Sequence, residues 1–294
     1  MLKIAFPNKG RLAEDARDLF EDAGLPIRFG SERALVARLG TESEAIFVRA
    51  QDIPEFVADG AADLGVTGWD LVNEAERDLS ARIDLGFGRC RLVVAVRDDS
   101  DVSAVEQIAP GARVATAFPR VTQRFFEAAG RPVELVPVSG AAEITPHLGI
   151  ADLVVDLVST GSTLKVNGLR EIATVLESSA RLVCRRDDRP ADDPTRAGDD
   201  RAIAIDRLVV RLESVVRARM HRYMMANVPR DALARVKAVL PGLDGPTVVD
   251  VLDGGRHVAV HAVVATAEVD RVITDLKALG ATGILVTRIE RLMP

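Results

Sequence analysis

Short apolar runs rich in Val, Ile and Ala alternate with amphipathic helical stretches through the first two thirds of the chain. LKIAF (2–6) reads as a buried strand ending at Pro7, and Ala16, Leu19, Phe20 and Ala23 line one face of a helix over Leu12–Ala23 that Gly24 closes. AIFVRA (45–50) is a second strand, Ile53–Asp59 a helix opening near Pro54, and ADLGVTGWDLV (62–72) a strand, a tight turn at Gly68 and a helix. RLVVAV (91–96), ARVATAF (112–118), a helix through Arg124–Ala129, ELVPV (134–138) and DLVVDLV (152–158) repeat the order, and RLVCRR (181–186) leads back out. Strands alternating with helices require a largely parallel sheet whose sites lie at strand ends. A crossover near residue 90 and a return near 180 divide this region into two α/β lobes forming a hinged cleft.

RRDDRPADDPTRAGDD (185–200) reads as an exposed linker, polar and carrying two prolines. Beyond it come a long helix (199–220), a strand (222–228), a helix (231–240), two strands (247–252 and 257–264), a helix and a final strand (284–289). After the long helix this β-α-β-β-α-β order is the ferredoxin-like arrangement. Such domains often bind a regulatory amino acid, although the shape alone does not establish it. A chain of 294 residues accommodates two or three domains. The expected division is 1–90 with 181–212 as one lobe, 91–180 as the second, and 213–294 as the C-terminal domain.

A net charge of -6 argues against a nucleic-acid surface, which needs a basic stripe, so phosphate chemistry must rest on a few placed cations. Aromatic residues make up only 4%, so the core must be aliphatic. Cys90 and Cys184 are far apart and lack metal-ligand spacing, as expected of reduced thiols in a cytoplasmic protein. The N-terminal run is cut short at Pro7, unlike an export signal, and no apolar stretch approaches the ~20 residues needed to span a bilayer.

The most informative segment is DLVVDLVSTGSTL (152–164), a buried strand delivering Asp152 and Asp156 and then a turn of small hydroxyl residues. Backbone N–H groups and hydroxyls of Thr160, Gly161, Ser162 and Thr163 can converge on one phosphate, and glycine permits close approach. Asp156 can accept hydrogen bonds from adjacent ribose hydroxyls. The bland alternative is an ordinary Ser/Thr helix cap; the acid placed before the turn favours a ribose-5-phosphate site. Lys9, Gly10 and Arg11 lie between strand and helix, either as a solvated turn or as a polyphosphate ligand, and Arg49 ends a strand where it can face a cleft. Asp70 is either a helix cap or a carboxylate near a metal-phosphate group, and Glu143 carries the same two readings. The histidines, His147, His221, His257 and His261, complete no metal set and no triad.

Taken together, PNKGRL (7–12), RAQDIP (49–54), LGVTGWDLV (64–72), LGFGRCRLVVAV (85–96) and DLVVDLVSTGSTLKVNGL (152–169) resemble the ATP phosphoribosyltransferase family. MMANVPRDAL (224–233), LPGLDGPTV (240–248), VAVHAVV (258–264) and LKALGATGILVTRIERL (276–292) resemble its regulatory domain, so the likeness runs from end to end. The resemblance implies two periplasmic-binding-protein-like lobes forming a cleft, plus a C-terminal ferredoxin-like, ACT-type α+β domain. It implies attack of adenine N1 of ATP on C1 of phosphoribosyl pyrophosphate, with release of pyrophosphate, as the first step of histidine biosynthesis. N1 carries no proton, so no general base is required. It further implies magnesium, feedback inhibition by histidine, a homohexamer exchanging with dimers, and no need of the separate partner chain that shorter members require.

By the same resemblance Thr160, Gly161, Ser162 and Thr163 hold the 5-phosphate, Asp156 the ribose hydroxyls, and Lys9, Arg11 and Arg49 the phosphates of ATP or pyrophosphate. Asp70, expected beside the substrates, joins Glu143, Asp152 and Asp156 as a candidate near magnesium, and Leu243, Thr247 and Gly283 mark the inhibitor site. One departure bears on that site: the family's Ser-Pro-Thr-Val-Ser-Pro-Leu is replaced by Gly245-Pro-Thr-Val-Val-Asp-Val251, which predicts weaker histidine binding.

Overall fold

The computed structural model describes residues 1–30, 34–186, 200–240, 242–243, 245–252 and 254–293. The expected linker therefore lies mostly outside the described residues. The chain divides into two compact units, Met1–Val209 and Val210–Pro294.

The first unit opens with β1 (Leu2–Pro7), α1 (Arg11–Asp22), β2 (Ile27–Arg28), β3 (Val36–Leu39), β4 (Ser43–Val48), α2 (Ile53–Ala58), β5 (Leu64–Gly68), α3 (Trp69–Ala75) and β6 (Leu79–Asp84). It continues through β7 (Cys90–Arg97), β8 (Arg113–Thr116), α4 (Pro119–Ala128), β9 (Glu134–Pro137), β10 (Leu153–Val158), α5 (Ser162–Val166), β11 (Leu169–Ser178) and β12 (Ala180–Arg185). The first sheet runs β2-β3-β4-β1-β5-β12-β6 and the second β11-β7-β10-β8-β9. Each is one lobe, and the chain crosses between them twice, at 85–89 and at Ser179. The crossings are hydrogen-bonded to each other, Leu85 N–H to the Ala180 carbonyl and Ala180 N–H to the Phe87 carbonyl, both at 3.0 Å. These are the expected periplasmic-binding-protein-like lobes.

In the first lobe Ile4, Phe6, Leu19, Phe20 and Leu64 are fully buried, each such side chain stabilising the fold by roughly 1.5–3 kcal/mol. In the second lobe Leu92, Val94, Val96 and Val155 pack on one face of the sheet and Val93, Ala95 and Val154 on the other. A strand covered on both faces reads as a continuous apolar run, which is how RLVVAV and DLVVDLV read. α4 begins at Pro119, earlier than the apolar spacing indicated, because proline at a helix start forfeits no hydrogen bond. β11 carries two register shifts against β7, so it has no alternation to read, and β6 is interrupted likewise.

A reciprocal cap joins the lobes at α3 and α4. The Glu74 carboxylate accepts the N–H groups of Arg120 and Val121, both at 3.0 Å, at the start of α4. Arg120 donates in return to the carbonyls of Glu74 (3.2 Å) and Ala75 (3.0 Å) at the end of α3. Each helix terminus thereby satisfies groups that the other leaves open.

The boundary between units falls within α6 (Asp200–Arg219). The second unit continues with β13 (His221–Pro229), α7 (Leu233–Val239), β14 (Thr247–Asp250), β15 (His257–Ala265), α8 (Val269–Ala278) and β16 (Thr282–Arg288). Its sheet order β14-β15-β13-β16 with antiparallel neighbours is the expected ferredoxin-like topology. Met224, Ala226, Val228, Val258 and Val260 face Val236, Val272 and Leu276 of the helices in its core. Among the described residues no helix is long and apolar enough to cross a membrane.

Candidate active site

β1 and β4 are adjacent and parallel, and they end together at Pro7 and Val48. The Asn8 N–H donates to the Val48 carbonyl at 2.8 Å, so the turns carrying Lys9 and Arg11 on one side and Arg49 on the other share one edge of the sheet. Lys9, Arg11 and Arg49 are exposed, and none has a side-chain hydrogen bond or ion pair among the described residues. Gly10, at φ 79°, forms the corner before α1, a conformation that side chains resist.

In the second lobe β10 delivers Asp156 beside Glu143, whose charge adds to burial in raising the Asp156 carboxyl above the usual carboxylate range. The Leu157 N–H donates to Asp156 Oδ1 at 2.7 Å and opposes that rise. The turn that follows is exposed at Thr160, Ser162 and Thr163. Gly161 has φ 79°, and a Cβ added there would lie 3.4 Å from Glu171 Oε1. Thr160 Oγ1 and Ser162 Oγ are 3.0 Å apart, leaving two hydroxyls side by side at the start of α5. His147 secures the other end of that helix, with Nε2 donating to the Asn167 carbonyl at 2.6 Å.

Two other candidates are engaged by partners within the chain. Asp152 precedes β10, about 13 Å along the strand from Asp156 at 3.3 Å per residue. It accepts the Arg113 N–H at 2.8 Å and pairs with the Arg113 guanidinium at 3.3 Å, bonds that hold its carboxyl below the usual range. Asp70 is buried and accepts the Ser178 hydroxyl at 2.5 Å, while its own N–H donates to Ser178 Oγ at 3.0 Å. Burial raises its carboxyl above the usual range. Gly68 makes room for this arrangement, since a Cβ there would come within 2.3 Å of Asp70 Oδ1. The structure thus gathers Glu143, Asp156 and the Thr160–Thr163 turn, and separately Lys9, Arg11 and Arg49; Asp152 lies at the far end of β10 from Asp156, and Asp70 is held by Ser178.

A cleft of about 460 Å³ lies where the lobes cross, lined by Arg89, Cys90, Arg91, Ser159, Ser178 and Arg181 among others. Single basic residues beside glycine or within a strand carry no spacing signal, so these arginines stand out only in the structure. Burial pushes the Cys90 thiol up, and the Asp70 charge adds to that, which disfavours the thiolate. Among the described residues no three His, Cys, Asp or Glu side chains converge on a metal position. A magnesium ion held by one or two carboxylates plus substrate phosphates needs no such set, and Glu143 with Asp156 fits that requirement.

In the second unit Thr247 and Gly283 lie on β14 and β16, the opposite edges of the sheet and about 14 Å apart at the usual strand spacing. Leu243 is exposed. Two residues of the departure at 245–251 have a structural reason. Gly245 sits at φ 102°, where serine would be strained, and Asp250 forms an ion pair with Arg230.

The family model described as ATP phosphoribosyltransferase matches residues 49–214, and that described as its C-terminal domain matches 218–291. The ATP phosphoribosyltransferase of Gemmatimonas aurantiaca is 64% identical over the whole of both chains. That of Natronomonas pharaonis is 50% identical, again over the whole of both. Among solved structures, the ATP phosphoribosyl transferase (HisG:HisZ) complex from Thermotoga maritima aligns with a TM-score of 0.62 at 28% identity, covering 74% of this chain and 99% of that one.

Proposed function

The chain belongs to the ATP phosphoribosyltransferase family, pentosyltransferases of histidine biosynthesis, in the long form with a C-terminal domain, and we propose that its cleft joins adenine N1 of ATP to C1 of phosphoribosyl pyrophosphate. The observation that carries this reading is the exposed turn Thr160–Thr163 beside the half-buried Asp156, in a unit whose other lobe presents three unpartnered cations. The turn's hydroxyls and amides hold the 5-phosphate. Asp156, deprived of solvent by burial, regains hydrogen bonds when the ribose hydroxyls donate to it. Lys9, Arg11 and Arg49 hold the phosphates of ATP.

N1 attacks with its own lone pair, so no residue removes a proton. The chain's contribution is to align two polyanions and exclude water around the cation-like sugar carbon. Asp156 and Glu143 would hold magnesium, which supplies positive charge to the diphosphate when bound.

The second unit leaves one sheet face open, with Tyr223, Val249 and Leu285 exposed at 39%, 49% and 52%. An apolar face of this kind supports self-association, here as dimers and hexamers. Histidine would bind through this domain, around Leu243, Thr247 and Gly283, and inhibit from there without a separate regulatory chain. Both activities belong in the cytoplasm.

Pyrophosphate release from ATP and phosphoribosyl pyrophosphate, run with and without histidine, tests the whole reading. Release that histidine suppresses without competing for the phosphoribosyl site is the expected result. No release would overturn the catalytic assignment, and no histidine binding at millimolar ligand would leave the domain an assembly module.

A further inference from the structure

The cleft at the crossing contains three arginines, and two of them are engaged. Arg91 makes a forked pair with Glu171 at 2.9 and 3.2 Å. Arg181 lies over the Trp69 ring at 5.4 Å, donates to Ser179 Oγ at 3.2 Å and pairs with Asp84 at 3.4 Å. Arg89 is exposed and has no side-chain hydrogen bond or ion pair among the described residues.

Its backbone, by contrast, is held on several sides. The Gly86 N–H donates to Asp84 Oδ1 at 2.9 Å, and the Phe87 carbonyl accepts the Ala180 N–H at 3.0 Å. Gly88, at φ +64°, packs so closely on α1 that an added Cβ would lie 3.2 Å from Leu12 Cδ1. A guanidinium with no internal partner on a fixed backbone is an available donor for an incoming anion.

Its position selects the anion. Through Gly88 the loop abuts Leu12, the neighbour of Arg11 in the first turn of α1. Inside the cleft Arg89 shares the lining with Ser159, which immediately precedes the Thr160–Thr163 turn. Arg89 therefore stands between the cations of one lobe and the phosphate turn of the other. With the 5-phosphate on that turn, the remaining anionic group of phosphoribosyl pyrophosphate is the diphosphate on C1. We propose that Arg89 binds this diphosphate and holds it as it departs.

The inference rests on the catalytic reading above for the identity of the substrate. As the C1–O bond breaks, its electron pair passes to the diphosphate oxygen while the N1 lone pair forms the new N1–C1 bond. Arg89 donates hydrogen bonds to the charge that develops on the leaving group, and no proton changes hands. The planar fork suits a diphosphate better than an ammonium would.

The test is calorimetric titration of the full-length protein with inorganic pyrophosphate, and separately with ribose 5-phosphate, in magnesium buffer. Arg89→Ala should weaken pyrophosphate by roughly 10- to 100-fold, the loss expected for hydrogen bonds to a charged group. Arg89→Lys should lose less, and ribose 5-phosphate should bind both variants as it binds the unaltered protein. Circular dichroism melts establish that each variant is folded. Unchanged pyrophosphate affinity in Arg89→Ala would overturn the proposal, as would no pyrophosphate binding by the unaltered protein. An equal loss of both ligands would overturn it too, because Arg89 would then act on the cleft's general potential. Turnover of the unaltered protein is read independently: Arg89-dependent pyrophosphate binding without turnover would support the diphosphate site and sink the catalytic reading.

Discussion

β5 enters its sheet as Ala62-Asp63-Leu64 and β10 enters the other as Ala151-Asp152-Leu153, and the two aspartates bond the neighbouring strand's backbone alike, although Asp63 adds an ion pair with Arg201 at 2.8 Å. Asp63 accepts the Lys3 N–H at 2.7 Å and returns its own N–H to the Lys3 carbonyl at 2.8 Å. Asp152 accepts the Arg113 N–H at 2.8 Å and returns its own to the Arg113 carbonyl at 2.8 Å. In each lobe the carboxylate stitches the start of one parallel strand to the start of its neighbour. The strands then leave their sheets differently. β5 runs into a buried exit, with Thr67 Oγ1 donating to the Ala50 carbonyl at 2.8 Å and Asp70 bound to Ser178, whereas β10 runs into the exposed Thr160–Thr163 turn. The amino ends are tied to neighbouring backbone in both lobes, and of the two exits that of β10 keeps its hydroxyls exposed.

Glycine substitutions at the two exits should separate these roles most widely. Gly161→Val forces a branched side chain into a left-handed conformation at the phosphate turn and should abolish phosphoribosyl pyrophosphate binding. The stability cost should stay near 1–2 kcal/mol, because the turn is exposed. Gly68→Ala places a Cβ against the Asp70 carboxylate and should cost about 1–3 kcal/mol of stability as overpacking. Ligand affinity and melting temperature, measured on both variants, decide the matter. A folded Gly161→Val protein with near-normal affinity would remove the turn from the site.

The pH dependence sharpens the contrast between the two exits. Asp70 and Asp156 both have carboxyls raised mainly by burial, so each binds its proton more tightly in the folded chain than in the unfolded one. Their contribution to stability is complete below the usual carboxylate pKa and falls as pH rises through the raised value. Asp156→Asn should flatten that fall, and so should Asp70→Asn. Only Asp156→Asn should also weaken ribose 5-phosphate. If Asp70→Asn weakened the ligand as strongly, the buried exit of β5 would belong to the site as well.

The β10 exit was legible in the sequence because its parts are local: acid, hydroxyls and glycine lie within eight residues of one strand end (156–163). The ferredoxin-like unit was legible from its clean apolar spacing. Asp70 was not, because its partner Ser178 is 108 residues away and comes from a strand whose register shifts erase any alternation. A helix-start aspartate has the same local sequence whether it caps, binds a ligand or is buried. Arg89 gave no signal because a lone arginine between glycine and cysteine becomes informative only when its neighbours are seen to be paired.

Asp152 offers the smallest effect and the finest test. Read from the sequence, it was as good a magnesium candidate as Asp156, four positions along the same strand. Its carboxyl is lowered first by the Arg113 N–H, so its stabilising contribution is present above the usual carboxylate pKa and is lost as pH falls through the depressed value. The pair with Arg113 is substantially exposed, at 41% and 51%, and solvent screens most of its attraction. Asp152→Asn should therefore cost about 0.5–1 kcal/mol near neutral pH, and less in acid, where the unaltered carboxylate is itself protonated. Asp63→Asn is the control in the other lobe, removing the matching strand-start carboxylate together with its ion pair to Arg201 at 2.8 Å. Neither substitution should change magnesium-dependent activity or the affinity for ribose 5-phosphate. Melting temperatures across pH, set beside a magnesium titration of turnover, measure both quantities. A raised magnesium requirement in Asp152→Asn but not in Asp63→Asn would break the equivalence of the two strand starts and return Asp152 to the active site.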